Sequence, residues 1–290
     1  MLELLKSKIL VSDGAIGTEL LKLSNEKNPE ILNFKKPSLV EKIHTNYINA
    51  GADIITTNSF GANSARLKGV NIYELDKASA QIARKVKTND KFIFGSVGPT
   101  GLKPTDEEFK KIDDYFSEQI YGLNDGGVDA ILIETMIFIE EMKVAYRVAR
   151  AETKLPVVVT MSFHLTKNGF QTYGGADLKT SIKEMLNLGA EIIGANCGNG
   201  FNEMTVLAEK LKSMTKETFI MIKPSAGTPK RINNKLIYPD TPDSISKFVE
   251  KLVDLGINII GGCCGTTPKH IKVIREIVNK AIQSKKAWAQ

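Results

Sequence analysis

Cysteine and histidine are scarce in this sequence, with three residues of each among 290. Three cysteines cannot all pair within one chain, so disulfides do not account for them, and a metal site or a nucleophile becomes the alternative. Long apolar runs are also missing: no stretch approaches the roughly 18 residues of a membrane span, and the N-terminal run is too short for a secretory signal. We therefore expect a cytoplasmic protein that makes no membrane contact.

Charge of one sign does not dominate, because 39 Lys and Arg residues stand against 33 Asp and Glu residues and the net charge is +6. The basic residues are scattered along the chain, which indicates a solvated surface and no nucleic-acid-binding stripe. No glycine- or proline-rich linker divides the sequence. With 42% hydrophobic residues the chain can bury one large core, and we expect residues 1–290 to form one domain.

Eight short runs rich in β-branched residues alternate with longer amphipathic stretches, and we interpret the runs as strands. They are ILVSD (9–13), DIITT (53–57), FIFGSV (92–97), AILIE (130–134), VVVTM (157–161), EIIGA (191–195), FIMIK (219–223) and NIIGG (258–262). Eight strand–helix units predict an α/β fold, a single (β/α)8 TIM barrel. A T-x-x-E capping box at 105–108 and the Thr-Pro pairs at 241–242 and 267–268 predict helix starts.

Four segments repeat one pattern: AGADIITTNS (50–59), GGVDAILIET (126–135), LGAEIIGANC (188–197) and LGINIIGGCC (255–264). They align on Gly51, Gly127, Gly189 and Gly256 and contain the even-numbered strands. Each glycine is expected to end the preceding helix in the left-handed conformation. Alternate strands of such a barrel contribute side chains to the same interior layer, so the four copies indicate a shared level in the fold.

Counting from these glycines places the chemically interesting residues at one level. The seventh and eighth residues after the glycines are Asn58 and Ser59, Glu134 and Thr135, Asn196 and Cys197, and Cys263 and Cys264. This level is the C-terminal mouth of the barrel, where such folds place their active sites. Neighbouring residues of a regular strand face opposite sides. We therefore expect the last strand to end before Cys263 and its flanking glycines to let both thiols turn inward.

Three cysteines that converge from two strands suit zinc, which binds thiolates and in catalytic sites keeps one tetrahedral position open. The alternative is that they are buried as small hydrophobic residues. A closed structural zinc would need a fourth ligand, and only His164 among the histidines is expected near the mouth. We therefore expect one zinc per chain, held by Cys197, Cys263 and Cys264, with an open position suited to activating a thiol. Asn196 is a candidate for the ligand that fills this position at rest.

Six motifs resemble those of the homocysteine S-methyltransferase family: DGAIGTEL (13–20), TTNSFGAN (56–63), GSVGPTG (95–101), GANCG (194–198), KPSAGTP (223–229) and GGCCGTTPKHI (261–271). Within that family the chain most resembles the N-terminal homocysteine-binding barrel of cobalamin-dependent methionine synthases. The resemblance covers essentially the whole chain, and the cysteine pattern is its most specific part. It implies that the sulfur of homocysteine binds the zinc as a fourth ligand and that methionine is the product.

The resemblance also implies a substrate site. The amino-acid end of homocysteine would be held by Asp13, Gly14, Ala15, Thr57, Ser59 and Glu134, and the repeat places Asn196 beside them. Ala15 stands where family members often have a second glycine, a change that leaves its backbone amide available. Glu134 closes a buried strand at the mouth, where a substrate ammonium would pair with its charge. The three cysteines and Glu134 are the predicted catalytic residues.

Structural interpretations of several of these residues stay open. Asp13 before Gly14 is also typical of a strand-ending turn, and Ser59 of a helix cap. Tyr173 and Tyr238 are candidates for lids over the mouth or for ordinary surface packing. The glycine-bearing loops of the second and third units lack a P-loop lysine, so we do not expect a phosphate site.

The methyl donor is the part of the reaction that the sequence leaves open. No D-x-H-x-x-G cobalamin motif appears, and the chain has about the length of one barrel. We therefore predict an enzyme that methylates homocysteine with a methyl group from a separate methylcorrinoid or methylfolate-linked protein, so that the partner would supply cobalamin. Two alternatives remain: a methyltransferase that uses a small onium donor such as betaine or S-methylmethionine, and a barrel that binds homocysteine or a corrinoid partner without turnover.

Overall fold

The computed structural model describes residues 1–215, 217–232 and 235–288, and all eight predicted strands are present in it. They are β1 Leu10–Val11, β2 Ile54–Thr56, β3 Phe92–Val97, β4 Ala130–Met136, β5 Val157–Met161, β6 Ile192–Asn196, β7 Phe219–Lys223 and β8 Ile259–Ile260. Strands that are consecutive in the chain pair in parallel from β2 to β8, and β8 pairs with β1. A parallel bridge between Ser12 and Ile54 closes the ring. The prediction of a (β/α)8 TIM barrel is confirmed.

Helices surround the ring and connect its strands. They are α1 Leu2–Leu5, α2 Ile16–Leu23, α3 Leu32–Lys35, α4 Pro37–Asn49, α5 Ile72–Val86, α6 Ile112–Gly126, α7 Ile139–Glu152, α8 Leu178–Asn187, α9 Phe201–Met214, α10 Ser246–Asp254 and α11 Pro268–Trp288, with 3₁₀ turns at Pro29–Ile31 and Glu107–Lys111. None of the helices in the described part of the chain combines the length and the apolar character that a bilayer crossing needs.

Two antiparallel hairpins interrupt the alternation of strands and helices. The first pairs residues 163–166 with 169–172 and follows β5, and the second pairs residues 230–232 with 235–237 and follows β7. Because both leave the carboxyl end of a strand, they stand at the mouth of the barrel. The sequence pattern of eight units did not predict them.

The four repeat glycines adopt the predicted left-handed conformation. The φ angles are 100° at Gly51, 85° at Gly127, 76° at Gly189 and 69° at Gly256. At Gly127, which ends α6, the backbone N–H bonds to the carbonyls of the last helical turn. Each glycine therefore turns the chain from helix into strand at the same level, and the residues seven and eight positions later arrive together at the mouth.

Three separate clusters of buried apolar side chains are present, and the two larger ones form the core of the barrel. One lies between the strands and the surrounding helices and is the larger of the two. The other takes at least one side chain from each of the eight strands, which is possible only inside the ring, and Leu5 of α1 packs against it from the amino end. Apolar side chains thus fill the interior of the barrel below the mouth. The polar side chains of the candidate site lie at the carboxyl ends of the strands.

The predicted helix starts have mixed outcomes. Pro268 is the first residue of α11, as predicted. The capping box at 105–108 does not form, because Asp106 is the N-cap residue of the turn at 107–111 and the Glu108 carboxylate accepts a hydrogen bond from Tyr115. Thr241 accepts a hydrogen bond from the Ser244 backbone, but α10 begins only at Ser246.

Candidate functional site

Three thiols meet at the mouth of the barrel. Cys197 directly follows β6, and Cys263 and Cys264 lie in the β8 loop, which we define as residues 261–267 between β8 and α11. Their sulfur atoms all lie within 4.8 Å of one another, and the Sγ atoms of Cys197 and Cys264 are 3.7 Å apart. Among the described residues, no other group of three His, Cys, Asp or Glu side chains converges in this way. The three cysteines therefore converge at the mouth, as predicted.

Backbone strain accompanies two of the strand ends. Thr135 and Cys197 have φ angles of 62° and 60°, and they are the non-glycine residues with positive φ in the described part of the chain. Both occupy the eighth position after a repeat glycine. Such a conformation is rare for a non-glycine residue and costs roughly 1–3 kcal/mol. The left-handed conformation interrupts the alternation of side chains between the two faces of the strand. Two successive residues at the end of β4, and two at the end of β6, can therefore face the same site.

Glycines around the cysteine pair are required by close packing. A Cβ atom at Gly262 would overlap the Thr266 side chain, and one at Gly265 would overlap the ring of Tyr238. The backbone of the β8 loop also makes hydrogen bonds to the loops after β1 and β7. Of the glycines that flank the pair, Gly265 has positive φ. Both thiols turn inward as expected: the left-handed φ of Gly265 allows the turn, and the close packing at Gly262 and Gly265 fixes the loop.

Glu134 lies at the mouth with its carboxylate held on both sides. Ser96 Oγ donates to Oε1 at 2.5 Å, and Asn196 Nδ2 donates to Oε2 at 3.0 Å. The side chain is buried, and burial raises the pKa of Glu134 while the nearby Lys223 opposes that rise. The predicted position of this carboxylate at the mouth is thus reproduced, with two donors that orient it.

Asn196 lies behind Glu134 and connects it to the metal site. Its Oδ1 accepts hydrogen bonds from the Thr135 backbone at 2.8 Å and from the Thr160 hydroxyl at 2.7 Å. Its Nδ2 lies 3.8 Å from Cys263 Sγ. Because both acceptor positions of the amide oxygen are occupied, this geometry argues against Asn196 as a resting zinc ligand. It indicates a positioning role for a residue that we expected to contact the ligand directly.

A buried ion pair, which the sequence did not lead us to expect, lies at the end of β7, the strand between the two strands that lead to the cysteines. Lys223, the last residue of β7, places its Nζ 3.1 Å from Oδ1 of Asp13, and both side chains are buried. Asp13 Oδ2 accepts from the backbone and the hydroxyl of Thr56 at 2.7 and 3.0 Å. Burial opposes the charge on Lys223, but Asp13 and Glu134 outweigh it, so the pKa of Lys223 lies above its usual value.

The turn after Asp13 is held against the β8 loop. A Cβ at Gly14 would come within 2.6 Å of the Thr266 hydroxyl oxygen, so a glycine is required here. The Ala15 amide, which we expected to be available, donates to Thr266 Oγ1 at 3.3 Å. The buried Tyr47 hydroxyl donates to the carbonyl of Ala15 at 3.0 Å. This turn and the cysteine loop therefore form one packed unit.

Thr57 and Ser59 form the wall that follows β2. The Ser96 backbone N–H donates to Thr57 Oγ1 at 2.9 Å, the two hydroxyls are 2.6 Å apart, and Ser59 Oγ donates to the Ser96 carbonyl at 2.7 Å. Both residues line the cavity described next. Their hydroxyls are committed to β3, so they shape the wall and hold Ser96 against Glu134.

A cavity of about 310 Å³ opens between these elements. Its polar wall contains Glu134 and Lys223 together with the three cysteines, and its apolar wall includes Leu21 and Phe60. Gly14, Ala15, Thr57 and Ser59 also line it. Of the predicted substrate residues, Asp13 and Asn196 are buried behind this lining. A cavity with few polar groups that converge in this way is typical of a small-molecule site.

The two candidate lid residues occupy different environments. Tyr238 is half-buried beside Gly265, and burial together with the Cys264 and Cys197 sulfurs raises the pKa of Tyr238 to about 12. Tyr173 is 67% exposed and stacks on His164 with 4.4 Å between the ring centroids. Tyr238 therefore covers the cysteine loop, whereas Tyr173 packs on the hairpin surface.

The sulfur cluster fits a tetrahedral metal ion such as zinc. Thiolates bound tetrahedrally at about 2.3 Å are roughly 3.8 Å apart, close to the 3.7 Å between Cys197 and Cys264. Hydrogen bonds from the other two thiols lower the pKa of Cys197, while their bonds to it raise the pKa of Cys263 and Cys264. A bound cation would supply the positive charge that three thiolates need. All three cysteines are partly exposed to the cavity, which leaves one side of the cluster open.

These features define a class, the TIM barrels that carry a candidate thiolate metal centre at the mouth. The family model described as homocysteine S-methyltransferase matches residues 10–278, and the chain belongs to this family. It is 32% identical to the methionine synthases of Mycobacterium leprae and Mycobacterium tuberculosis over 96% of its own length. The chain spans about a quarter of the length of these relatives, since the alignment covers 25% of each.

A solved structure shows the same fold. The metallated form of the homocysteine methyltransferase MmuM from Escherichia coli is similar with a TM-score of 0.76, at 21% identity, and the match covers 94% of this chain and 98% of that one. The apo form of the same protein matches with a TM-score of 0.74. At this level of identity the likeness concerns the fold.

Proposed function

We propose that this protein is a zinc-dependent homocysteine S-methyltransferase, which transfers a methyl group to the sulfur of homocysteine and yields methionine. The observation that carries the proposal is the convergence of Cys197, Cys263 and Cys264 on a cavity that also contains Glu134 and Lys223. Membership of the homocysteine S-methyltransferase family and similarity to methionine synthases support the same acceptor.

Cysteines are the residues that would hold the metal, and one zinc per chain fits the cluster. Zinc bound there would take the substrate sulfur as a thiolate and keep it nucleophilic near neutral pH, where a free thiol with a pKa of about 8.5 is only roughly 3% ionised. In the overall reaction the thiol proton leaves to solvent, the sulfur forms a bond to the methyl carbon, and the donor keeps the electron pair of the bond that breaks.

The remaining residues of the site would bind and orient the amino-acid part of homocysteine. Glu134 faces the cavity with an orientation fixed by Ser96 and Asn196, and its charge suits the substrate ammonium. Gly14, Ala15, Thr57 and Ser59 line the cavity around it. Asp13 and Asn196 would act from behind this wall by holding Lys223 and Glu134 in place.

The donor in this proposal is a methylcorrinoid or methylfolate-linked protein. Support comes from the similarity to methionine synthases, of which this barrel spans a quarter, so that donor handling would lie outside the matched segment. Cobalamin would then be bound by the donor protein, and the barrel would present the activated acceptor at its mouth.

Product analysis with a panel of donors tests the proposal. Zinc-loaded protein is incubated with L-homocysteine and methylcobalamin, betaine or S-methylmethionine, and methionine is quantified by mass spectrometry. We expect methionine with methylcobalamin, and none from a Cys264→Ala control. Methionine with an onium compound would instead identify a small-molecule donor. Retained homocysteine binding without methionine from any donor would overturn the proposal in favour of a binding barrel.

A further inference from the structure

Two side chains of opposite charge share the cavity without contacting each other. Among the described residues that line it, Lys223 is the one cationic side chain, and Glu30 and Glu134 are the carboxylates. Glu30 accepts the Gly61 backbone N–H at 2.8 Å at the edge of the cavity, whereas Ser96 and Asn196 orient Glu134 in it. The ion pairs between described residues include Lys223 with Asp13, at 3.1 Å, and none between Lys223 and Glu134 within 4 Å. The cavity therefore offers a positive and a negative group that are separated by a gap.

Asp13 is fully used by the protein. Its Oδ1 accepts from the Ser12 hydroxyl at 3.3 Å and from Lys223, and its Oδ2 accepts twice from Thr56. The side chain is 0% exposed and does not line the cavity. Asp13 is therefore placed to hold the lysine ammonium, not to contact a ligand.

Lys223 retains donors for a ligand. An ammonium group carries three N–H donors, and the described hydrogen bonds of Nζ use one of them, to Asp13. The side chain is 4% exposed, and this small exposed part faces the cavity. A buried cation with unpaired N–H donors is unfavourable. A carboxylate that enters the cavity would accept hydrogen bonds from the remaining donors of Lys223.

We propose that Lys223 binds the α-carboxylate of the thiol substrate and that Asp13 positions the lysine, while the substrate ammonium pairs with Glu134 as in the proposed function. The site is then selective for a zwitterionic α-amino acid whose thiol reaches the cysteine cluster. This inference rests on the proposed function for the identity of the acceptor and deepens it by assigning each end of the amino acid to a charged side chain.

Binding of three related thiols tests this assignment directly. L-Homocysteine carries both charged groups, 4-sulfanylbutanoic acid lacks the amine, and 3-aminopropane-1-thiol lacks the carboxylate. Affinities for the zinc-loaded protein are measured by calorimetry, which does not depend on turnover. Lys223→Gln should weaken homocysteine and 4-sulfanylbutanoic acid roughly ten- to hundredfold, the usual effect of losing a charged hydrogen bond, and change 3-aminopropane-1-thiol less than twofold.

Control variants separate binding from structure. Lys223→Arg keeps the charge and should retain selectivity for the carboxylate. Glu134→Gln should show the opposite pattern, with loss for 3-aminopropane-1-thiol and little change for 4-sulfanylbutanoic acid. The double variant Asp13→Asn/Lys223→Gln removes the ion pair as a unit, and it keeps the test available if Lys223→Gln alone leaves Asp13 unpaired and unfolds the barrel.

Two results would overturn the inference. Equal weakening of all three thiols by Lys223→Gln would show a structural effect, and recovery of homocysteine affinity in the double variant would mean that Lys223 only neutralises Asp13. Either result leaves the proposed function intact, provided that the wild-type protein forms methionine. Failure of the wild-type protein to bind homocysteine at all would instead remove the proposed function.

Discussion

One residue, Asn196, joins the substrate wall of the mouth to its sulfur cluster. It bonds to Glu134 and Thr135 at the end of β4, to Thr160 on β5, and lies beside Cys263 of the β8 loop. The two bonds to Thr135 hold a β-branched residue in the left-handed conformation, which that residue does not favour by itself. One buried amide thus orients the cavity-facing residues Glu134 and Thr135 and lies against the cysteine loop.

Zinc content tests the assignment of the metal ligands. Replacing Cys197, Cys263 or Cys264 by alanine should abolish stoichiometric zinc, because two thiolates and water form a much weaker site than three thiolates. His164→Ala is the matched control: this histidine stands on the mouth hairpin, and we expect its loss to leave about one zinc per chain. Full zinc content in the Cys264→Ala protein, measured by atomic emission after dialysis, would refute the three-cysteine site.

Glu134→Gln should separate substrate binding from metal binding. The change keeps the shape of the side chain and removes the charge that faces the substrate ammonium, so homocysteine affinity should fall roughly tenfold or more while zinc content stays unchanged. Glu141→Gln is the control, because Glu141 is also buried but bonds to Thr100 and does not line the cavity. Equal homocysteine affinity in the Glu134 variant, by calorimetry, would remove this residue from the site.

Lys223 and Glu134 show what residue patterns can predict. Each is a charged residue that follows an apolar run of the sequence, in FIMIK and AILIE, and both lie at the mouth of the barrel. The sequence pattern that predicts Glu134 at the mouth is equally present at Lys223. The hydrogen bond from Ala15 to Thr266 was not predictable in this way, because it depends on how two loops far apart in sequence pack together.

Among the secondary-structure elements, β6 and β7 must approach very closely, and this closeness positions Cys197 and Lys223. Gly194 lies opposite Met221 in the parallel ladder, and a Cβ there would overlap the Met221 carbonyl oxygen. The last rung brings Asn196 level with Lys223, and the Cys197 N–H donates to the Lys223 carbonyl at 3.1 Å. The ligand cysteine and the buried lysine therefore share one backbone junction.

Gly194→Ala should destabilise this junction. The added methyl group meets backbone atoms that cannot rotate away, so we expect a loss of roughly 1–3 kcal/mol or more in the free energy of unfolding, measured in urea. Gly17→Ala is the control: its Cβ would meet its nearest neighbour at 3.7 Å, and it lies in helix α2, where alanine is favoured over glycine. Equal stability of the two variants would contradict the close approach of β6 and β7.

Strand positions were predictable because buried parallel strands are continuous apolar runs, and the repeat glycines marked their starts. The two mouth hairpins were not, since the hairpin at 163–172 lies in a stretch whose polar residues are also typical of a loop. The capping box at 105–108 failed because Glu108 has a competing partner, Tyr115, seven residues away. Local sequence patterns thus predicted the strands, whose positions depend on burial in the core. They did not predict the hairpins or the failed capping box, which depend on contacts between particular side chains.

For the whole molecule, the stability of the barrel should depend on the protonation of His44. This residue of α4 is buried, its ring nitrogens have no hydrogen-bond partner among the described residues, and burial lowers the pKa of His44 to about 4. The unfolded chain takes up a proton below about pH 6.5, whereas the folded chain resists it until about pH 4. The contribution of neutral His44 is therefore fully present above pH 6.5 and is lost as the pH falls towards 4.

A His44→Leu variant isolates this effect from the titration of the carboxylates. From pH 7 to pH 4, wild-type protein should lose up to roughly 3 kcal/mol more unfolding free energy than the variant, the value that corresponds to the change from 6.5 to about 4. Denaturant unfolding at several pH values measures both curves. Parallel curves for the two proteins would show that His44 is hydrated or paired in the folded state.

The central claim is that three cysteines from two strand ends form a metal centre that receives the sulfur of homocysteine. X-ray absorption at the zinc edge tests it most directly, because it counts the sulfur neighbours of the metal. We predict three sulfur neighbours at about 2.3 Å in the zinc-loaded protein and four after homocysteine is added. A count that stays at three while calorimetry shows bound homocysteine would contradict the claim.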